Sequence, residues 1–199
     1  MGVHVVRVAA LYVDPLRGPY PRIPGVDVWG WAGPRQGSFW DRDARDYGGP
    51  DPIVAHPPCG PWGKWRRRYK GGEGDADCGP RAIEQARASG GVVEHPAFST
   101  LWDACDLPRP RAGFDEFGGW TLSVAQVDWG HPCPKPTWLY IVGTDTIPPI
   151  PVNLDGPTHC MVRLRRNTHD RPELPKRDRH LTPPAFARWL VSLARRCVS

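Results

Sequence analysis

No apolar run in this chain approaches the ~20 residues that a membrane-spanning helix needs, so no membrane partner is expected. No internal repeat and no flexible linker is visible, and residues 1–199 are read as one domain large enough to bury its own core. Proline-free stretches are scarce, which excludes an all-helical bundle. No two of the cysteines, at 59, 78, 105, 133, 160 and 197, stand two or three residues apart, so neither a zinc knuckle nor a dithiol redox pair is present. His56, Cys59, His95, His131 and Cys133 fall near strand ends, but no pair has finger spacing, and no metal is expected. The N-terminus, Met-Gly-Val-His-Val-Val-Arg, has no charged leader before an apolar stretch, so secretion is not expected. A reducing cytoplasm is the simplest context for this cysteine usage.

Gly and Pro make up about a quarter of the chain, a share that alone suggests disorder, but 40% hydrophobic residues and ten Trp argue for a packed core. Lys and Arg number 26 against 21 Asp and Glu, a net charge of +5 that suits a partner rich in phosphate.

Val3 to Val13 reads as a buried, β-branched strand ending at Asp14-Pro15. Gly18 to Gly37 is broken by four prolines and reads as loop, with an extended piece at Val26 to Trp29. Pro52 to Ala55 is a second short strand, and 60–78 a long loop without apolar periodicity. Pro80 to Ser89 has a helical face, with Pro80 placed in the first turn and Gly90-Gly91 ending it. Val92-Val93 gives a strand stopped at Pro96, and Phe98 to Cys105 a short helix. Trp120 to Trp129 and Thr137 to Val142 read as two antiparallel strands joined by a short turn. Residues 144–181 are Pro-rich, basic and unpatterned; His169-Asp170 and Arg163 to Arg166 carry no assigned chemistry. Thr182 should cap a last helix whose stripe is Phe186, Trp189, Leu190 and Leu193. Strands alternating with helices predict an α/β fold with a mostly parallel sheet and a C-terminal antiparallel pair.

Two strand ends carry chemistry. In Ala55-His56-Pro57-Pro58-Cys59-Gly60-Pro61-Trp62 a strand stops, two prolines stiffen the chain, and a thiol is presented where open α/β sheets build their sites. In Val92-Val93-Glu94-His95-Pro96 a carboxyl group ends an apolar strand; partial burial should raise its pKa and let it protonate a ring nitrogen. Cys59 and Glu94 lie 35 residues apart, a spacing that fits one crossover helix and would set the two side by side. A third feature is Trp62 to Lys70, with five cations and three aromatics in nine residues. Lys64, Arg66, Arg67, Arg68 and Lys70 can neutralise phosphates, and Trp65 or its aromatic neighbours can stack on a base.

Pro57-Pro58-Cys59 followed by Val93-Glu94-His95-Pro96 resembles the Pro-Cys and Glu-Asn-Val motifs of the DNA cytosine-5 methyltransferase family. Gln126 to Gly130 with Lys135-Pro136-Thr137 sits where that family has Gln-x-Arg-x-Arg. Arg179-His180-Leu181-Thr182-Pro183 with Ala187-Arg188 is similar to its late segment, and Asp43 to Asp46 to its acidic stretch. The match covers about residues 40–190. It implies a Rossmann-like methyltransferase fold acting on DNA, of a compact phage-type form without a separate target-recognition domain, in a bacterial or phage-infected cell. It also implies Cys59 as the nucleophile that adds to cytosine C6, presented by Pro58, with Glu94 acting on N3 and Lys135 replacing one missing arginine. S-adenosylmethionine is the implied methyl donor, met by Asp14, Asp27 and Asp43. His56 or the 64–70 cluster would supply the positive potential that lowers the thiol pKa.

The chain departs from the family at the end of the first strand, where Leu11 to Gly18 replaces a Phe-x-Gly-x-Gly loop, and at His95, which replaces Asn. Two other readings follow: an accessory DNA-binding protein on the same scaffold, or a base-modifying enzyme with a different one-carbon donor.

Overall fold

The β-branched and apolar segments assemble into one six-stranded sheet in a computed structural model that describes residues 6–30, 42–161 and 171–197. Residues 3–5 of the first expected strand, 31–37 of the expected loop, Arg163 to Arg166 and His169-Asp170 lie outside the described residues. The strands are β1 (Val8–Leu11), β2 (Val26–Trp29), β3 (Ile53–Ala55), β4 (Gly91–Pro96), β5 (Trp120–Ala125) and β6 (Pro136–Val142). Their order across the sheet is β2-β1-β3-β4-β6-β5. β1 pairs in parallel with β2 and β3, and β3 with β4, whereas β6 pairs antiparallel with both β4 and β5. β6 therefore runs against the other five. The sheet is mixed, as the expected mostly parallel sheet with a late antiparallel pair requires.

The helices are α1 (Asp75–Ser89), α2 (Leu101–Ala104) and α3 (Pro184–Ala194). Side chains alternate across each strand, so both faces of the sheet are covered. Val8, Ala10, Val54, Val92, Leu139 and Ile141 pack against α3, whose Phe186, Leu190 and Leu193 are fully buried. Ala9, Leu11, Ile53, Ala55, Val93 and Tyr140 pack on the other face with Ile83 of α1 and Leu101 and Trp102 of α2. Among the described residues no helix is long and apolar enough to cross a membrane.

β1 stops at Leu11, short of the expected Val13, and α2 covers only Leu101–Ala104 of the expected Phe98 to Cys105. Three further features differ from the sequence reading. α1 begins at Asp75, inside the expected loop, and Pro80 lies within it rather than in its first turn. The helix forgoes one internal N–H bond at Pro80. Its start is fixed instead by Asp75 and Asp77, which favour the positive end of the helix, and by the Gly72 N–H donating to Asp75 Oδ2 at 2.9 Å. Thr182 does not cap α3: Pro183 is the capping residue and no side chain accepts there. Pro183 and Pro184 have no N–H, so fewer donors need a cap. The strand expected over 120–129 stops at Ala125 and turns into a 3-10 helix, Gln126–Trp129, closed by Gly130 at φ 88.

Gly91 is a point where the backbones touch. It has φ +131, and a Cβ there would sit 2.2 Å from the Ile53 carbonyl oxygen. Gly91→Ala is expected to lower unfolding stability by about 2–4 kcal/mol in urea titrations, while Gly113→Ala, strained in φ but with open space around it, costs only about 1 kcal/mol.

Candidate active site

β3 ends in three steps that present the thiol. The His56 N–H still bonds the Leu11 carbonyl at 3.0 Å, continuing the pairing with β1. Pro57 is buried, Pro58 half-buried. The Cys59 carbonyl then accepts from the N–H of Gly63 at 2.8 Å and of Trp62 at 3.2 Å, a tight turn that leaves Cys59 exposed. In the parallel register Ala55 lies opposite Val93, so His56 and Glu94 are the next residues along the two strands. The carboxylate is met there: Glu94 Oε2 lies 3.0 Å from His56 Nδ1, and each side chain is 12% exposed.

The antiparallel pair supplies the other side. Gln126, fully buried, donates through Nε2 to Glu94 Oε1 at 2.9 Å and to Thr137 Oγ1 at 3.0 Å. Thr137 Oγ1 donates to the Lys135 carbonyl at 3.1 Å. Lys135 itself has a left-handed backbone, φ 42, and donates from Nζ to the Leu181 carbonyl at 2.9 Å, which ties the late segment to the site. Behind His56, the hydroxyl of Tyr20 lies 2.6 Å from Nε2.

Charge sets the protonation states. Burial works to raise the Glu94 pKa, but the His56 hydrogen bond and charge, with Lys135 and His95 adding, overcome it and hold the carboxyl at about 2. The expected rise is thus reversed: donors from several segments converge on a carboxylate that the sequence shows only as the end of an apolar strand. His95, fully buried against Trp102, is pushed down to about 4 by burial, which the Glu94 charge and the Pro58 backbone only partly oppose. Desolvation by surrounding atoms raises the Cys59 pKa, and the Glu94 carboxylate adds to the rise. The opposing cation is Lys135, where His56 or the basic loop was expected. Burial lowers the Lys135 pKa, and Glu94, Cys59 and Cys133 pull it back up. Cys59, Glu94 and Lys135 therefore share one electrostatic environment at the carboxyl edge of the sheet.

The basic loop follows directly. Arg66–Arg68 form an exposed 3-10 turn, and Trp65, 52% exposed, carries Lys64 and Arg68 over its ring at 5.9 and 5.4 Å. The other two aromatics are engaged. Trp62 packs against the core, and its carbonyl accepts from Thr100 N–H and Oγ1, each at 3.0 Å. The Tyr69 hydroxyl donates to Asp75, and its ring fits against Gly60 and Gly71, where a Cβ would come within 2.0 Å of it. Of the three, Trp65 is the most exposed and has no hydroxyl tying it down; Tyr69, 40% exposed, is held by its bond to Asp75.

The carboxylates expected to meet S-adenosylmethionine are each held by protein groups. Asp14 Oδ1 closes a turn by accepting from the N–H of Leu16 at 2.9 Å and Arg17 at 3.0 Å. Asp27, in the middle of β2, accepts from Arg42 Nη1 at 2.8 and 2.9 Å and from Trp29 Nε1 at 3.1 Å. Asp43 pairs with Arg45 at 2.7 Å. Tyr12, left-handed at φ 58, stands just past β1 where the resemblance calls for a glycine loop; its buried hydroxyl donates to Gln85 Oε1 at 3.0 Å. Among the described residues no three His, Cys, Asp or Glu side chains are placed to hold a metal.

Of the residues singled out from sequence, Cys59, Glu94, Lys135 and Pro58 come together. Tyr20 is a member that sequence reading missed, because an isolated Tyr in a proline-rich loop carries no signal. Both buried groups lose stability on acidification. His95, depressed below its usual range, gives stability that is full above about pH 6.5 and lost toward pH 4; Glu94 gives stability that is full above about pH 4.5 and lost toward pH 2. Denaturant titrations should show both windows in the wild type, and Glu94→Gln should remove the lower one, a difference on the order of 3 kcal/mol. No family model, no curated protein and no solved structure matches this chain.

Proposed function

We propose that this protein modifies cytosine in DNA through a covalent adduct between Cys59 and ring carbon C6. The observation that carries the reading is the convergence of Cys59, Glu94 and Lys135 from three separated segments at one sheet edge. The mixed sheet, with β6 alone reversed, is compatible with the Rossmann-like methyltransferase fold that the resemblance implies. The basic turn at Arg66–Arg68 and exposed Trp65 lie a few residues from the thiol, where phosphate neutralisation and base stacking would bring a displaced nucleotide to it.

In this reading the Cys59 thiolate attacks C6, and Lys135 favours the thiolate by its charge. Glu94 engages the N3 and amino edge of the ring. Electron density released from the C5–C6 double bond makes C5 the nucleophile toward the transferred group. Once C5 has bonded that group it loses its proton to water, and the S–C6 bond breaks as the C5–C6 double bond re-forms. S-adenosylmethionine is the donor the resemblance implies, but the described residues do not form its expected cradle: Asp14, Asp27 and Asp43 are engaged by the protein, and Tyr12 replaces the glycine loop. No step is therefore derived through it. The same observation favours a second reading, a DNA-binding protein that keeps the scaffold and transfers no group.

A duplex carrying 5-fluorocytosine decides between them, since fluorine blocks loss of the C5 substituent after transfer. With S-adenosylmethionine present, a denaturing gel should show a shifted band that is absent in Cys59→Ser. A shift surviving that change would overturn Cys59 as the nucleophile. No shift across varied sequence contexts would leave the DNA-binding reading or another donor.

The loop is tested separately. Arg66, Arg67 and Arg68 replaced together by Ala should weaken DNA binding and flatten the plot of log K against log salt by about 0.9 for each phosphate no longer neutralised. An unchanged slope would remove the loop from the interface.

A further inference from the structure

Glu94 is not an isolated carboxylate. It ends a chain of three titratable side chains from three elements: Tyr20 in the 3-10 turn Tyr20–Arg22, His56 just past β3, and Glu94 in β4. The links are 2.6 Å from Tyr20 Oη to His56 Nε2 and 3.0 Å from His56 Nδ1 to Glu94 Oε2. An ionised carboxylate can only accept, so the hydrogen on that link belongs to Nδ1. In the neutral ring Nε2 then accepts from the Tyr20 hydroxyl. A tyrosine hydroxyl donates or accepts equally well, so Nε2 can gain a proton while the Tyr20 link is kept. Tyr20 is 1% exposed, and burial holds its hydroxyl protonated. Gln126 fixes the other carboxylate oxygen, so Glu94 cannot swing away from His56. The remaining charged or titratable groups facing the pair are Cys59, His95 and Lys135.

We propose that His56, oriented by Tyr20, is the proton store of this site: charged to imidazolium, it passes its Nδ1 proton through Glu94 to N3 of the base. The inference rests on the cytosine reading and adds to it two positioning residues, His56 and Tyr20. The step balances. The Cys59 S–H bond breaks with its proton given to water, and His56 takes a proton from water at Nε2, giving imidazolium beside carboxylate. The S–C6 bond forms as the Nδ1 proton moves to Glu94 and from there to N3, returning His56 to its neutral form with Nε2 now carrying the hydrogen. No net charge is created in the buried site, and no further co-reactant is needed. When the S–C6 bond later breaks, N3 returns its proton by the same route. The arrangement explains how a carboxyl held ionised in the free protein can still protonate a ring nitrogen.

The test separates a relay from a mere support. His56→Asn keeps an N–H near the Nδ1 position but cannot carry a proton; Tyr20→Phe keeps the ring and removes the hydroxyl. The first readout needs no DNA: the Glu94 side-chain carboxyl is followed by carbon NMR against pH. In His56→Asn its midpoint should rise by at least about one pH unit, since the imidazole charge is gone. The second is the rate of 5-fluorocytosine adduct formation against pH. His56→Asn should slow it by about 10²–10⁴-fold and change the shape of the pH profile, and Tyr20→Phe should slow it by less. Iodoacetamide should alkylate Cys59 at a similar rate in wild type and Tyr20→Phe, showing the thiol intact. An unmoved Glu94 midpoint overturns the proposal whatever DNA does. A moved midpoint with a wild-type adduct rate and profile in His56→Asn makes His56 a support only and overturns the relay. A moved midpoint with no adduct in the wild type overturns the cytosine reading instead, and with it the proton's destination.

Discussion

The burial of one ionised carboxylate constrains the rest of the site. Taking Glu94 out of water costs several kcal/mol unless donors replace its hydration. His56 and Gln126 supply them at 3.0 and 2.9 Å, and they come from different parts of the chain. Each donor is in turn fixed by the sheet: His56 by the pairing of Ala55 with Val93, Gln126 by the end of β5 and its bond to Thr137 on β6. A slip of one residue between β3 and β4 would turn His56 away and leave the carboxylate buried without that donor. Register and chemistry are therefore the same constraint here.

The same charge balance controls the thiol. Glu94 works against ionisation of Cys59, and Lys135 works for it. Lys135 is held by its left-handed backbone and by the Leu181 carbonyl, so the segment before α3 takes part in setting the thiol's environment. Leu181, just before α3, is by that bond part of the site's frame.

The loop between β3 and α1 is rooted at both ends. Trp62 is bonded to Thr100, and Tyr69 is wedged beside Gly60 and Gly71 and bonded to Asp75. Between these roots only Lys64 to Arg68 project with Trp65 exposed among them. A run of charge that reads uniformly in sequence is thus divided by structure into anchors and a free turn. At the opposite flank of the sheet edge, Tyr12 and the Asp14 turn fill the region after β1 with the protein's own side chains and hydrogen bonds.

The strands at Val26 to Trp29, around Ile53 to Ala55, at 91–96 and at 136–142 were legible because apolar, β-branched runs bounded by Gly and Pro admit few other conformations. The stripe Phe186, Trp189, Leu190 and Leu193 showed the last helix for the same local reason. The adjacency of the strand ends before Cys59 and at Glu94 was also legible, because one crossover between adjacent parallel strands forces their ends together. The start of α1 at Asp75 was not, since an internal proline mimics a first turn. Nor was the direction of the Glu94 shift: burial alone raises a carboxyl pKa, and only the tertiary structure brings His56, Lys135 and His95 close enough to reverse that sign. Periodicity and spacing determine where chains extend, coil and stop, because those are local steric and hydrophobic effects. Protonation states depend on charges a few ångströms apart in space and tens of residues apart in sequence, so the folded arrangement decided them.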